Sequence, residues 1–266
     1  MKFKTLFRAV SRSFKVIGLL TVLMAGSLSL RAADAGQPQY YEVRVYSTSS
    51  DEQRQRVNDY WQNAAIPAYN RMGINPIGVF TEQEASATNK IYVLVPCDSL
   101  EVFGAIPAKL AVDAIYQQAA AEFLASPKTN AAYDRFESSL LVAFDGMKHL
   151  VVPPADQKPN VFELRTYMSP GEGKGLNKIQ MFQSGEINVM KEVGLAPIFY
   201  GRMVTGSHMP CLMYMTCGTS LDEHKKHWSA FGAAPVWKQL QADPQYKDNM
   251  IGMIRVLLKR TSASQI

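Results

Sequence analysis

Tyr40-Tyr41-Glu42-Val43-Arg44-Val45-Tyr46 returns further along the chain as Val161-Phe162-Glu163-Leu164-Arg165-Thr166-Tyr167. Both copies read Glu-x-Arg-x-Tyr on a strict alternation, with Tyr41, Val43 and Val45 on one side and Glu42, Arg44 and Tyr46 on the other. Alternation of period two marks a β-strand, whose successive side chains point to opposite faces. The two copies open two related halves. Glu42 and Glu163, Gly73 and Gly194, Pro76 and Pro197, and Ser99 and Ser220 all stand 121 residues apart, and Pro127 and Pro244 stand 117 apart. A period of that size is a duplicated domain rather than a solenoid repeat.

Each half follows one order. After the first strand, residues 48–51 offer helix caps, and Val57, Tyr60, Trp61 and Ala64 recur at helical spacing up to Pro67, which is expected to end or kink the helix. Residues 77–81 and 91–95 read as two strands of a hairpin. An Ala-rich helical stretch covers 100–126, split at Pro107, a short helical piece is expected over 131–135, and 139–144 reads as a fourth strand. The second half repeats this: strand 161–167, a Gly-rich turn at 169–173, a helix ending at Gly194, strands 198–204 and 211–216, a helix over 221–240 with Pro235 inside it, and a strand over 250–259. Between the halves, residues 148–160 contain Pro153, Pro154 and Pro159 and read as a linker.

The order β-α-β-β-α-β is the ferredoxin-like one. Such a sheet carries helices on one face and must bury the other. Two copies in one chain supply the partner. The expected fold is α+β, two tandem ferredoxin-like βαββαβ domains (40–147 and 161–262) forming an intramolecular, pseudo-dimeric α/β barrel.

Residues 1–35 read as a signal peptide: Lys2, Lys4, Arg8, Arg12 and Lys15, then an uncharged apolar run over 16–30, then Ala33-Asp34-Ala35 as a cleavage signal. The run is short of the roughly 20 residues a membrane span needs. An exported protein, periplasmic or secreted, is expected, without a membrane association after cleavage. The segment holds six of the 28 Lys and Arg and one of the 23 Asp and Glu, which leaves 22 of each in the mature chain. Nucleic-acid binding calls for a basic footprint, and a balanced chain does not suggest one. Cys97, Cys211 and Cys217 are too few for a disulfide scaffold and read as buried free thiols.

The Glu-x-Arg-x-Tyr strand, the Gly-x-x-Pro-Ile run (Gly73 to Ile77, Gly194 to Ile198), the Ser-Leu helix starts at Ser99 and Ser220 and the Pro before each last strand together resemble the NIPSNAP family, as two tandem copies over nearly the whole mature chain. The first copy departs with Val43 and Val45 and a longer Ala-rich second helix, and the turn from Arg202 to Pro210 lacks the usual extended polar hairpin. The resemblance implies the dimeric α/β barrel superfamily, which includes cofactor-independent monooxygenases and haem-handling enzymes. It implies no agreed chemistry.

If helices cover the apolar strand faces, Glu42, Arg44, Tyr46, Glu163, Arg165 and Tyr167 point between the sheets. A buried charge must be paired or face a wet cavity. Two readings stay open: a polar pocket in each half, where Arg binds an anionic or carbonyl group and Tyr donates, or a buried Glu–Arg pair that fixes the packing. Tyr92 and Tyr214 are further candidates for a pocket lining, beside the alternative that they are core. His224 and His227 look like a solvated helix face, His208 like a surface turn, and Gly171 to Gly175 like a flexible turn. No metal and no cofactor are expected. The function expected is binding of a small molecule, or an accessory role, through a polar pocket between sheets; the alternatives are an oxygenase- or isomerase-type enzyme acting on a small organic acid through Arg165 and Tyr167, and an interaction protein without a ligand. A homodimer is compatible with all three.

Overall fold

The duplicated alternating strands pair into one closed eight-stranded barrel. A computed structural model of the protein describes residues 36–84, 89–154, 156, 157 and 159–266. The leader expected over 1–35 lies outside the described residues. The first half runs β1 (Tyr40–Ser47), α1 (Asp51–Tyr60), α2 (Ile66–Arg71), β2 (Gly78–Glu82), β3 (Ile91–Cys97), α3 (Leu100–Val112), α4 (Ala114–Leu124), β4 (Arg135–Ala143). The second runs β5 (Val161–Met168), α5 (Glu172–Met181), α6 (Ile187–Glu192), β6 (Ala196–Thr205), β7 (Cys211–Gly218), α7 (Leu221–Ala233), α8 (Pro235–Ala242), β8 (Gly252–Arg260).

Strand order round the barrel is β1-β3-β2-β8-β5-β7-β6-β4, antiparallel throughout. Each half contributes the ferredoxin order, and the halves close on each other along two short seams. At one, Phe80 and Thr81 face Arg260 and Lys259; at the other, Leu141 and Val142 face Met203 and Arg202. The C-terminal tail then lies beside β2: the Gln265 N–H donates to the Ile77 carbonyl, and the Ile77 N–H donates to the Gln265 side-chain Oε1.

The faces are the reverse of the expectation. Tyr41, Val43, Phe80, Phe162, Leu164 and Phe199 fill the barrel interior. Tyr46 and Tyr167 lie instead in the two layers between sheet and helices, with Glu42 and Glu163 buried beside them. Both faces of β1 and β5 are covered, so hydrophobicity alone does not say which looks inward. What decides it is satisfaction of the charges. The helices carry Tyr69, His224 and Trp228 as hydrogen-bonding partners for the Arg and Glu, whereas the middle of a closed barrel is a dry, side-chain-filled space.

The helices differ from expectation in their breaks. The stretch 100–126 breaks at Asp113 rather than Pro107, because the Asp113 carboxylate caps α4 at the Tyr116 N–H and is held by Arg71. The helix over 221–240 breaks at Ala234, whose extended conformation is what a following proline favours. Pro67 ends nothing: α1 passes through a π-helical turn (Trp61–Ala65) into α2, whereas α5 and α6 meet at a kink within Phe182–Glu186, where Gly185 leaves the helical conformation at φ 156°. The helical piece expected over 131–135 is absent. A 3₁₀ turn covers Lys128–Asn130, and β4 has begun by Arg135. Among the described residues of the segment 148–160 there is no regular strand or helix, and bonds from Val151 to Ile198 and from Asn160 to Gly218 tie it to the barrel. The three cysteines are free and buried, and burial pushes their thiols up, to about 12 at Cys97 and Cys217 and about 11 at Cys211.

Phe162 sits fully buried in the barrel interior, 4.8 Å between ring centroids from Phe80 across the halves. Phe162→Ala should cost about 3–5 kcal/mol. Because the seams join the halves, urea unfolding followed by fluorescence and by circular dichroism should show one coincident transition at lower denaturant; a first half that keeps its own midpoint would contradict the single barrel.

Candidate functional site

The duplicated motif builds two polar clamps. In the second half, the Glu163 carboxylate accepts from the Arg165 Nε at 2.8 Å through Oε1, and its Oε2 meets His224 Nε2 and Trp228 Nε1, each at 2.5 Å. His224 and Trp228 stand one turn apart on α7, begun by the Ser220 cap on the Glu223 N–H. The Arg165 guanidinium lies 3.4 Å over the Trp228 ring and donates to the Tyr167 hydroxyl at 3.2 Å, which in turn is 2.8 Å from the Tyr214 hydroxyl. Arg255 approaches Glu163 Oε1 at 3.8 Å. Burial pushes the Glu163 carboxyl up, but the His224 hydrogen bond and the Arg165 charge outweigh it and hold it below the usual range. Glu163 is thus a satisfied anion that ties β5 to α7. Beside it lies a second buried pair, Lys178 Nζ to Glu186 Oε2 at 2.9 Å, boxed by Phe182 and Trp237. There the cost of burying the charge pushes Glu186 up, with Lys178 pulling the other way.

The first half is built differently on the same plan. Glu42 Oε1 accepts from Arg44 at 2.7 Å and from Ser138 at 2.6 Å, and Arg44 donates to Tyr69 at 3.2 Å and stacks over Trp61. The positions that match His224 and Trp228 are Phe103 and Pro107. Accordingly Glu42 Oε2 is buried without a hydrogen-bond partner. Of the residues singled out in the sequence, Glu42, Arg44 and Tyr46 therefore belong to one clamp, and Glu163, Arg165, Tyr167 and Tyr214 to the other. None lines a pocket between the sheets, which corrects that reading.

Tyr92 is different: it points into the barrel. At the end where β1 and β5 finish, the barrel opens into a cavity of about 130 Å³. Its floor is Leu164, Met203 and Met213, its buried polar groups are Tyr92 and Thr166, and Lys90, Glu137 and His208 stand at its rim. Burial, then the charge of Glu82 and the hydrogen bond that the Tyr92 hydroxyl donates to Glu82 Oε1 at 3.5 Å, push the Tyr92 phenol up, so it is a donor and not a base. This mouth lies between the two halves of the barrel, where a pocket was expected, but of the candidate binding residues Tyr92 alone lines it.

A NIPSNAP family model matches residues 41–143 and again 162–265. The chain belongs to the NIPSNAP family. Among solved structures, this NIPSNAP chain is similar to a proposed monooxygenase from Lactobacillus acidophilus (8% identity, TM-score 0.57, covering 84% of this chain and 94% of that one). Another proposed monooxygenase, from Fusobacterium nucleatum, matches at 13% identity and TM-score 0.53, over 84% and 93% of the two chains. A NIPSNAP family protein of unknown function from Agrobacterium tumefaciens matches 38% of this chain and 87% of its own, at 18% identity and TM-score 0.34. No curated protein sequence matches. At these identities the two proposed monooxygenases share the fold with this chain and nothing more.

Sequence reasoning missed His224, Trp228 and the mouth residues. His224, read as part of a solvated face, is buried. The signal was present: His224, Trp228 and Phe231 recur at four and three residues, the spacing of an inward stripe. His208, read as a plain surface turn, stands at the rim of the mouth. Among the described residues no three His, Cys, Asp or Glu converge, and no helix is long and apolar enough to cross a membrane.

Removing Glu163 leaves Arg165 and the polar edge of Trp228 buried without an anion. Glu163→Ala should cost about 3–5 kcal/mol, the range for breaking a buried pair, read by urea unfolding at pH 7. Its folded pKa is depressed, so the stabilisation is present above the ordinary Glu value of about 4.3 and is lost as pH falls through the lowered folded value. The gap between wild type and Glu163→Gln should therefore narrow on acidification below that point; a gap independent of pH would show the charge to be idle.

Proposed function

We propose that the protein binds a small organic molecule in the barrel mouth, in a binding or accessory role. The observation that carries this reading is the composition of the cavity. Two buried hydroxyl groups, Tyr92 and Thr166, stand over an apolar floor of Leu164, Met203 and Met213, below a rim that carries both signs of charge in Lys90 and Glu137. Mostly apolar walls with a few placed polar groups are the usual make-up of a ligand site. The volume of about 130 Å³ is near that of four waters at about 30 Å³ each, and below the roughly 300 Å³ of drug-sized sites. The ligand is therefore small, or inserts one end while the rest lies in the open mouth. The Tyr92 hydroxyl, held protonated, donates its hydrogen bond to Glu82 over 3.5 Å, and a ligand's carbonyl oxygen is bound by taking that hydrogen bond over.

An oxygenase or isomerase working through Arg165 and Tyr167 finds no support, because both side chains are engaged under α7. The proposed monooxygenases of the same fold leave an oxygenase with a site in the mouth as the alternative chemistry. The basic and apolar leader supports export.

A thermal-shift and calorimetric screen of short-chain carboxylic acids, ketones and phenols tests the pocket. A hit should weaken in Tyr92→Phe and vanish in Met213→Trp, which fills the floor. Hits bound equally by wild type and Met213→Trp, or no hit at all, would overturn the reading.

A further inference from the structure

The two seams of the barrel differ on their outer side. At one, Arg202 of β6 faces Val142 of β4; at the other, Thr81 of β2 faces Lys259 of β8. Beside the first seam, α5 and the turn after it present Leu176, Ile179, Gln180 and Gln183, the i, i+3, i+4, i+7 stripe of one helix face. Between that stripe and the seam lies a groove of about 290 Å³, which Val142, Arg202 and Asp145 also line. Asp145 stands at the Gln183 end, where the Gly146 N–H donates to Gln183 Oε1 at 3.0 Å.

The first half supplies an internal comparison. The offsets of 121 and 117 residues place Gln55, Asn58, Asp59 and Gln62 on the helix there, and Thr81 and Lys259 on the strands. The frame is the same: Ser262 Oγ donates to Gln62 Oε1 at 3.2 Å, where the second half has Gly146 and Gln183. The chemistry is not. Gln55, Asn58 and Lys259 are replaced by Leu176, Ile179 and Val142, and Leu176 is 58% exposed. An apolar wall open to water, with no counterpart in its twin, marks a surface that something covers.

The charges at this groove say what that is. Arg202 and Asp145 are exposed, and among the described residues neither side chain has a hydrogen-bonding or ionic partner. Arg202 lies opposite Val142, and Asp145 follows Val142 by three residues, a span of roughly 10 Å at the usual strand rise. We infer that the groove binds a short apolar peptide in extended conformation, with its terminal carboxylate at Arg202 and its terminal ammonium at Asp145. Three extended residues cover about 10 Å, and their first and third side chains point the same way, onto Leu176, Ile179 and Val142. The amides of Gln180 and Gln183 are placed to meet the peptide's main chain. A single amino acid is too short to reach both charges, and a fatty acid brings no cation to Asp145. A second copy of the chain would bring another concave groove rather than a ridge to fill this one. The inference is independent of the organic ligand proposed for the mouth.

The test is isothermal titration of the purified protein with the tripeptide leucyl-alanyl-leucine, with its N-acetylated form and with its C-terminal amide. One peptide should bind per chain. Each cap should weaken binding about two- to fivefold, as loss of an exposed ion pair does. Arg202→Gln should erase the effect of amidation and keep that of acetylation, and Asp145→Asn should do the converse. Leu176→Asp should weaken the uncapped peptide about tenfold; the site is exposed, so the variant keeps the fold, checked by circular dichroism. Met213→Trp, which fills the mouth, should leave peptide binding unchanged. No binding at about 1 mM peptide, or cap effects that persist in both charge variants, would overturn the inference. So would peptide binding lost in Met213→Trp and kept in Leu176→Asp, which would put the peptide in the mouth. A wild-type dimer in sedimentation that Leu176→Asp turns into a monomer would give the groove to a second copy and overturn it too.

Discussion

The structure depends on closure. Each half is a four-stranded sheet with two exposed edges and a bare face, and neither can be left in water. Pairing β2 with β8 and β4 with β6 removes the edges and turns the two bare faces into one interior. The seams are short, so they set register while the interior supplies the stabilisation. Phe80, Phe162, Tyr41 and Phe199 meet there from both halves. Closure also explains the mouth, where the interior residues no longer meet side chains from the far strands and a cavity remains.

Closure dictates where charge can go. A filled interior offers no solvent and few hydrogen-bonding groups to a carboxylate. The Glu-x-Arg-x-Tyr face therefore turns towards the helices, where side chains can be placed to meet it. The second half completes this arrangement with His224 and Trp228 on one helix face. The first half has Phe103 and Pro107 in their place and leaves one Glu42 oxygen without a partner. Duplication has thus left one clamp with both carboxylate oxygens engaged and the other with one.

Some residues were legible and others not, for reasons that can be stated. The strand at Glu163 is readable because its alternation is local. The pairing of Glu163 with Arg165 is readable because residues two apart on a strand share a face. The partners on α7 lie some sixty residues away, and their spacing is shared by solvated helices. Which of two buried faces looks inward is not local either. Both faces of β3 are buried along its whole length, so no hydrophobic contrast distinguishes them. The breaks at Asp113 and Ala234 went the way of caps and of the residue before proline rather than of Pro107, a contest between neighbouring signals that the sequence presents without a ranking.

By itself, the sequence determined the duplication, the order of elements in each half and the barrel they must form, because periodicity, caps and the need to bury a second sheet face act at short range or by count. Only the tertiary structure decided the direction of the Glu-x-Arg-x-Tyr face, the identity of its helix partners and the position of the opening. Those follow from which distant groups can satisfy a buried charge and from where a closed barrel runs out of side chains to fill it, and both are properties of the assembled molecule.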